Sequence, residues 1–137
     1  MGKWLVVTLL LIGTHFTASY LVPLDRPSQA TFGGLLRWAW PWSEGDHGPL
    51  GTMTAGGFPM IGFYLAVTAA AALLMSALAL AGLWVPVGWW RVLALVGAAL
   101  SVCVLALFFG PTKVLPIALN FAIIAAATGR WAAVAAP

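Results

Sequence analysis

Four polar side chains, His15, Thr68, Ser101 and Asn120, each sit inside a long apolar run of this 137-residue chain. A polar group in hydrocarbon is costly, which makes it a functional candidate by default. If the four runs cross a bilayer side by side, these groups share a similar depth. His15 and Asn120 would then line the wall of a small polar pocket. An imidazole and a carboxamide there offer hydrogen bonds to a lipid headgroup, a quinone oxygen or a small solute. Thr8, His15 and Ser19 also share one helical face, at offsets of seven and four. The competing reading is that the polar groups bond helix to helix. Ser and Thr can also bond back to carbonyls of their own helix.

Other chemistry finds less support. Glu44, Asp46 and His47 place carboxylate oxygens and an imidazole within four residues, a donor set that suits zinc. Three ligands so close in sequence rarely reach one ion unaided, and no second His or Cys joins them. A solvated loop without metal is the expectation there. Cys103, the only cysteine, lies in an apolar run and behaves as a small apolar residue. A haem reading has only His15 to offer as an axial ligand, without a paired histidine. No carboxylate lies within an apolar run, which argues against proton-coupled export. There is no G-x-S-x-G, no glycine-rich phosphate loop and no pair of histidines. No catalytic residue and no cofactor is assigned, and an enzyme is not the favoured reading.

The elements that must carry these residues follow from composition. Mean hydropathy is +1.03, and only six basic and three acidic side chains are present. A soluble domain carries about a quarter charged residues. Six scattered cations form no stripe, so nucleic acid is excluded as a partner. A spanning helix needs about 20 apolar residues. Four stretches qualify, at about 4–22, 58–83, 90–109 and 114–128. The fourth is short unless "GPTK" belongs to its first turn. The first resembles a signal peptide in part, but its apolar run continues through "YLVP", which favours a retained helix. Trp4, Trp38, Trp40, Trp42, Trp84, Trp89, Trp90 and Trp131 all fall at span boundaries. That is the pattern of interfacial anchors, with indole bodies apolar and their N–H groups wet.

Between the first two spans, residues 23–57 form an interfacial loop. Ser28 is placed to cap a short helix over 28–40, with Phe32, Leu35, Leu36, Ala39 and Trp40 on one apolar face. Pro41 then ends it. Small residues recur four apart at Ala66 and Ala70, Ala77 and Ala81, Gly97 and Ser101, and Ala118, Ala122 and Ala126. Such stripes let helices approach closely in a membrane. Pro59 and Pro111 open spans, where a missing N–H costs little, while Pro116 is placed to bend the fourth. Lys3, Arg91 and Arg130 fall on one side and Arg26, Arg37 and Lys113 on the other, so the positive-inside count is tied. Lys3 at the start of the first span favours cytoplasmic termini.

The expected fold is therefore a single-domain, all-α integral membrane protein. Its four transmembrane helices would form an up-down bundle, with a short interfacial helix between helices 1 and 2. The favoured function is an accessory, structural or self-associating membrane component. One alternative is binding or transport of a lipid or quinone at the polar pocket, with the Trp-rich loop as a lid. Another is a redox subunit holding haem or quinone. The expected partners are the bilayer and a homodimer or larger membrane complex.

Overall fold

The computed structural model describes residues 2–21, 38–41 and 59–129. Four long helices and no strand occur among them: α1 (Gly2–Ala18), α2 (Pro59–Ala81), α3 (Trp90–Leu107) and α4 (Val114–Thr128). With their short 3₁₀ extensions they give segments Gly2–Leu21, Met60–Ala81, Val87–Leu107 and Pro111–Thr128, all long and apolar enough to cross a membrane. The 3₁₀ turn Pro111–Lys113 runs directly into α4, so "GPTK" does lengthen the fourth segment, to 18 residues. Pro116 falls in the first turn of α4. There the absent N–H is one that the helix would leave unpaired anyway.

α2 packs most extensively, against both α1 and α3, and α4 packs against α3 and α1. Helices α1 and α3 touch only lightly. One end gathers the start of α1, the end of α2, the start of α3 and the end of α4. It is built from Val6, Val7, Leu10, Leu73, Leu80, Trp90, Ala94, Ile123 and Ala127 in one apolar cluster. The other end gathers Val104, Leu105 and Phe108, with Tyr20 and Leu65 against them. Close approach depends on small residues. A Cβ on Gly97 would lie 2.9 Å from the Leu73 backbone nitrogen, so α3 meets α2 backbone to side-chain-free backbone.

The end of α2 is a Schellman cap. Gly82, at φ +82°, donates its N–H to Ala79 O, and Leu83 donates to Leu78 O. Trp84 follows at φ +57°, a left-handed conformation that non-glycine residues rarely adopt.

The small-residue stripes divide. Ala66, Ala70, Ala77, Gly97, Ser101 and Ala126 are buried, and Ala81 is half-buried. Ala118 and Ala122 are exposed, so the expected stripe on the fourth helix is not the packed face. The buried face of α4 is Pro116, Asn120, Ile123, Ala126 and Ala127. Of the expected short helix over 28–40, only Trp38 to Trp40 fall among the described residues, and Trp38 and Ala39 are helical. The rest of it lies outside them, as do Asp25, Glu44, Asp46 and His47.

A buried polar chain and a docked loop segment

Ser101 and Asn120 come together, joined by a residue that spacing did not single out. The Asn120 amide donates to Ser101 Oγ at 3.0 Å, and to Pro116 O at 2.9 Å. Ser101 Oγ lies 2.8 Å from Thr17 Oγ1, whose own proton goes to Gly13 O at 2.9 Å. Since Thr17 has one proton and Gly13 O takes it, the Ser101 hydroxyl donates to Thr17. The bonds therefore run one way: Asn120 to Ser101 to Thr17 to Gly13, across α4, α3 and α1. Such directional chains strengthen one another in a dry interior. All three side chains are buried, at 1% exposure or less. Every donor is used, while Asn120 Oδ1 has no hydrogen-bond partner. What remains of this cluster chemically is acceptor capacity alone.

Leu10, Leu73, Leu105 and Ile123 are fully buried and fill the bundle interior. Ser76 is another buried hydroxyl, donating to Trp90 O at 2.7 Å and tying α2 to the start of α3.

His15 does not join Asn120. It sits two residues from Thr17, which on a helix is a rotation of roughly 200°, so the two point to opposite sides of α1. His15 is exposed on the bundle, and its Nε2 lies 3.0 Å from Ala39 O. Its ring meets Trp40 edge-on at 5.1 Å between centroids. Thr68 is also outside the cluster, exposed on the outer face of α2. The expected pocket of His15, Thr68, Ser101 and Asn120 is thus split. Two members are inside and two are outside, because similar depth says nothing about helical face.

The segment at 38–41 is held at a second point. Thr112, buried, donates to Pro41 O at 3.2 Å, and the Pro41 side chain is itself fully buried. Beside it lies Lys113, at the edge of the expected fourth span, with 1% of its surface exposed. Its ammonium donates to Phe108 O, the C-cap carbonyl of α3. A cation at a helix C-terminus meets both unpaired carbonyls and the negative end of the dipole, which is how this charge is accommodated.

The tryptophans do not behave alike. Trp4, Trp38, Trp84 and Trp89 are exposed and Trp40 is half-buried. Trp90 is in the core at 3% exposure, so it packs α3 rather than anchoring at a boundary. Trp42 and Trp131 lie outside the described residues. An apolar groove of about 280 Å³ opens between α1 and α4, lined by Leu5, Leu9, Ala122, Ala125 and Ala126. Among the described residues no group of three or more His, Cys, Asp or Glu is placed to hold a metal ion.

Four membrane-length apolar helices around a small polar core are compatible with a small membrane protein. No family model matches the chain, and no curated protein or solved structure matches it either.

Proposed function

We propose that the chain is a single-domain, multi-pass membrane protein with its four helices arranged as an up-down bundle. It acts as an accessory, structural or self-associating component, not as an enzyme. The residues around 28–40 lie along the membrane interface, and both termini face the cytoplasm. The observation that supports this reading is the buried polar chain, in which every side-chain hydrogen of Asn120, Ser101 and Thr17 is used within the protein. A catalytic or transport site keeps polar groups facing a substrate. Here they join three helices, in an interior that also buries Leu10, Leu73, Leu105 and Ile123.

A second reading, binding of a small amphipathic molecule, draws on the unpartnered Asn120 Oδ1. Its guest would be a hydrogen-bond donor, such as a hydroxyl, and not a quinone carbonyl.

Alkaline carbonate extraction tests the membrane assignment, with the chain expected to stay in the pellet. Release into the supernatant would overturn it. Native mass spectrometry from mild detergent tests the rest. The expected masses are the chain or its oligomer with lipid alone. A stoichiometric small molecule would favour the second reading, and a Soret band would favour haem.

A further inference from the structure

Among the described residues, every serine and threonine hydroxyl but one is hydrogen-bonded within the chain. Thr8, Thr14, Thr17 and Thr128 each donate to the carbonyl four residues earlier in their own helix. Ser19 donates to Phe16 O, Ser76 to Trp90 O, Thr112 to Pro41 O and Ser101 to Thr17. Thr68 is the exception, with neither a backbone nor a side-chain partner.

Its position makes that costly. Thr68 lies about 12 Å along α2 from Met60 and about 20 Å from Ala81, well inside the apolar segment Met60–Ala81 and on its exposed face. Hydrocarbon offers neither donor nor acceptor, so a lipid-facing hydroxyl at this depth is unsatisfied. Thr68 stands in a row of exposed side chains, Ile61, Tyr64, Thr68, Ala71 and Met75, at offsets of three, four, three and four. That is the spacing of a seam along which two helices meet at a shallow crossing angle. Ala71, the next member of the row after Thr68, presents only a methyl group. A second helix can therefore come close at this level.

We infer that this face of α2 is the contact surface for a second copy of the chain, with Thr68 hydrogen-bonded to Thr68 of that copy. Two copies inserted in the same direction are related by a rotation about the membrane normal. In that arrangement α2 meets α2 in parallel, and equal positions face one another at equal depth. A hydroxyl both donates and accepts, which makes the Thr68 pair complete in itself. A helix of different sequence would have to bring its own polar group to the same depth. The inference rests on the membrane reading above and gives self-association a surface.

The first test uses the full chain in phosphatidylcholine vesicles, with its only cysteine removed by Cys103→Ser. Adding Ala71→Cys is expected to give a disulfide-linked dimer on mild oxidation. Adding Val96→Cys instead, on the exposed face of α3, should leave the chain unlinked. Linking through Val96→Cys as readily as through Ala71→Cys would overturn the surface while leaving self-association standing. Sedimentation equilibrium in mild detergent then isolates the hydroxyl. Thr68→Val should raise the dimer dissociation constant about threefold, while Thr68→Ser stays near the parent. Unchanged affinity in Thr68→Val, as for a hydroxyl that bonds its own helix, would overturn the inference, as would a chain that is monomeric throughout. Release from membranes by alkaline carbonate instead counts against the membrane reading itself.

Discussion

The Asn120 amide donates across the α3–α4 contact to the Ser101 hydroxyl at 3.0 Å, in a site where neither side chain meets solvent. Ser101 is both the acceptor of that bond and the donor of the next, so the two residues act as one unit. A double-mutant cycle with Asn120→Ala and Ser101→Ala should therefore be non-additive. Polar pairs inside membrane bundles average about 0.6 kcal/mol of coupling, and a value of that order is expected here. The measurement is reversible unfolding in mixed micelles. Simple additivity of the two substitutions would show that the bond contributes nothing.

Asn120→Asp gives a stability that depends on pH. The new carboxyl keeps an oxygen toward Ser101 but loses the two N–H groups that the amide directs to Ser101 and Pro116. Burial disfavours a charged carboxylate, so the variant is compatible with the fold as the neutral acid and loses stability where the carboxyl must carry charge. The variant is expected to melt close to the parent in acid and well below it at neutral pH. A melting temperature that tracks the parent at every pH would contradict the dry setting of this site.

Chain composition made the four helices legible, because long apolar runs bounded by Gly, Pro, Trp and cations admit few other structures. The inward faces were not legible in the same way. When both the core and the surroundings are apolar, no polar stripe marks the outside, so depth alone grouped His15 and Thr68 with Ser101 and Asn120. A signal for Thr17 was present. Val6, Leu10, Gly13 and Thr17 recur at three- and four-residue spacing, and these residues form the buried face of α1. The same ambiguity affected Ala118 and Ala122, whose spacing fits packing as well as it fits an exposed face. Trp90 was assigned to a boundary by residue type. Its place in the chain is indeed a boundary, but its side chain is buried, in the apolar cluster that also holds Val6, Val7 and Leu80.

Gly97 is a point of close approach between α2 and α3. A methyl group there would sit 2.9 Å from the Leu73 backbone nitrogen and 2.8 Å from Leu73 Cγ. Backbone cannot swing aside as a side-chain tip can, so Gly97→Ala is expected to cost about 1–3 kcal/mol. Gly88 supplies the control, since an added Cβ meets nothing within 4 Å. Gly88→Ala should change stability by less than about 0.5 kcal/mol. Thermal unfolding of the two variants side by side decides the matter, and equal losses would mean that the helices are less closely packed than described.

His15 and Thr112 clasp the segment at 38–41 from two sides, through Ala39 O and Pro41 O. Replacing His15 by Phe keeps a ring against Trp40 but removes the hydrogen bond, while His15→Ala removes both. Hydrogen exchange at Ala39 and Trp40 is therefore expected to quicken in His15→Phe, and further in His15→Ala. Thr112→Val should quicken it from the other side. Because His15 shares no bond with the Asn120–Ser101–Thr17 chain, overall unfolding should change little in the His15 variants. Unaltered exchange in all three would show that other contacts hold the segment.

Trp84 tests whether strain in the α2–α3 turn is real. Its φ of +57° suits glycine, and its side chain is 95% exposed, so the fold gains little from the indole itself. Left-handed backbone costs an ordinary residue about 1–2 kcal/mol. Glycine avoids that cost, but it gives back roughly 0.5–1 kcal/mol because its unfolded chain is freer. In detergent, where no ordered headgroup layer is present, Trp84→Gly should therefore be stabilising by up to about 1 kcal/mol. Trp84→Ala removes the same indole and keeps the strain, so it should show no such gain. The difference between the two variants isolates the backbone contribution. If glycine and alanine melt together, the turn does not carry the strain that its dihedral implies.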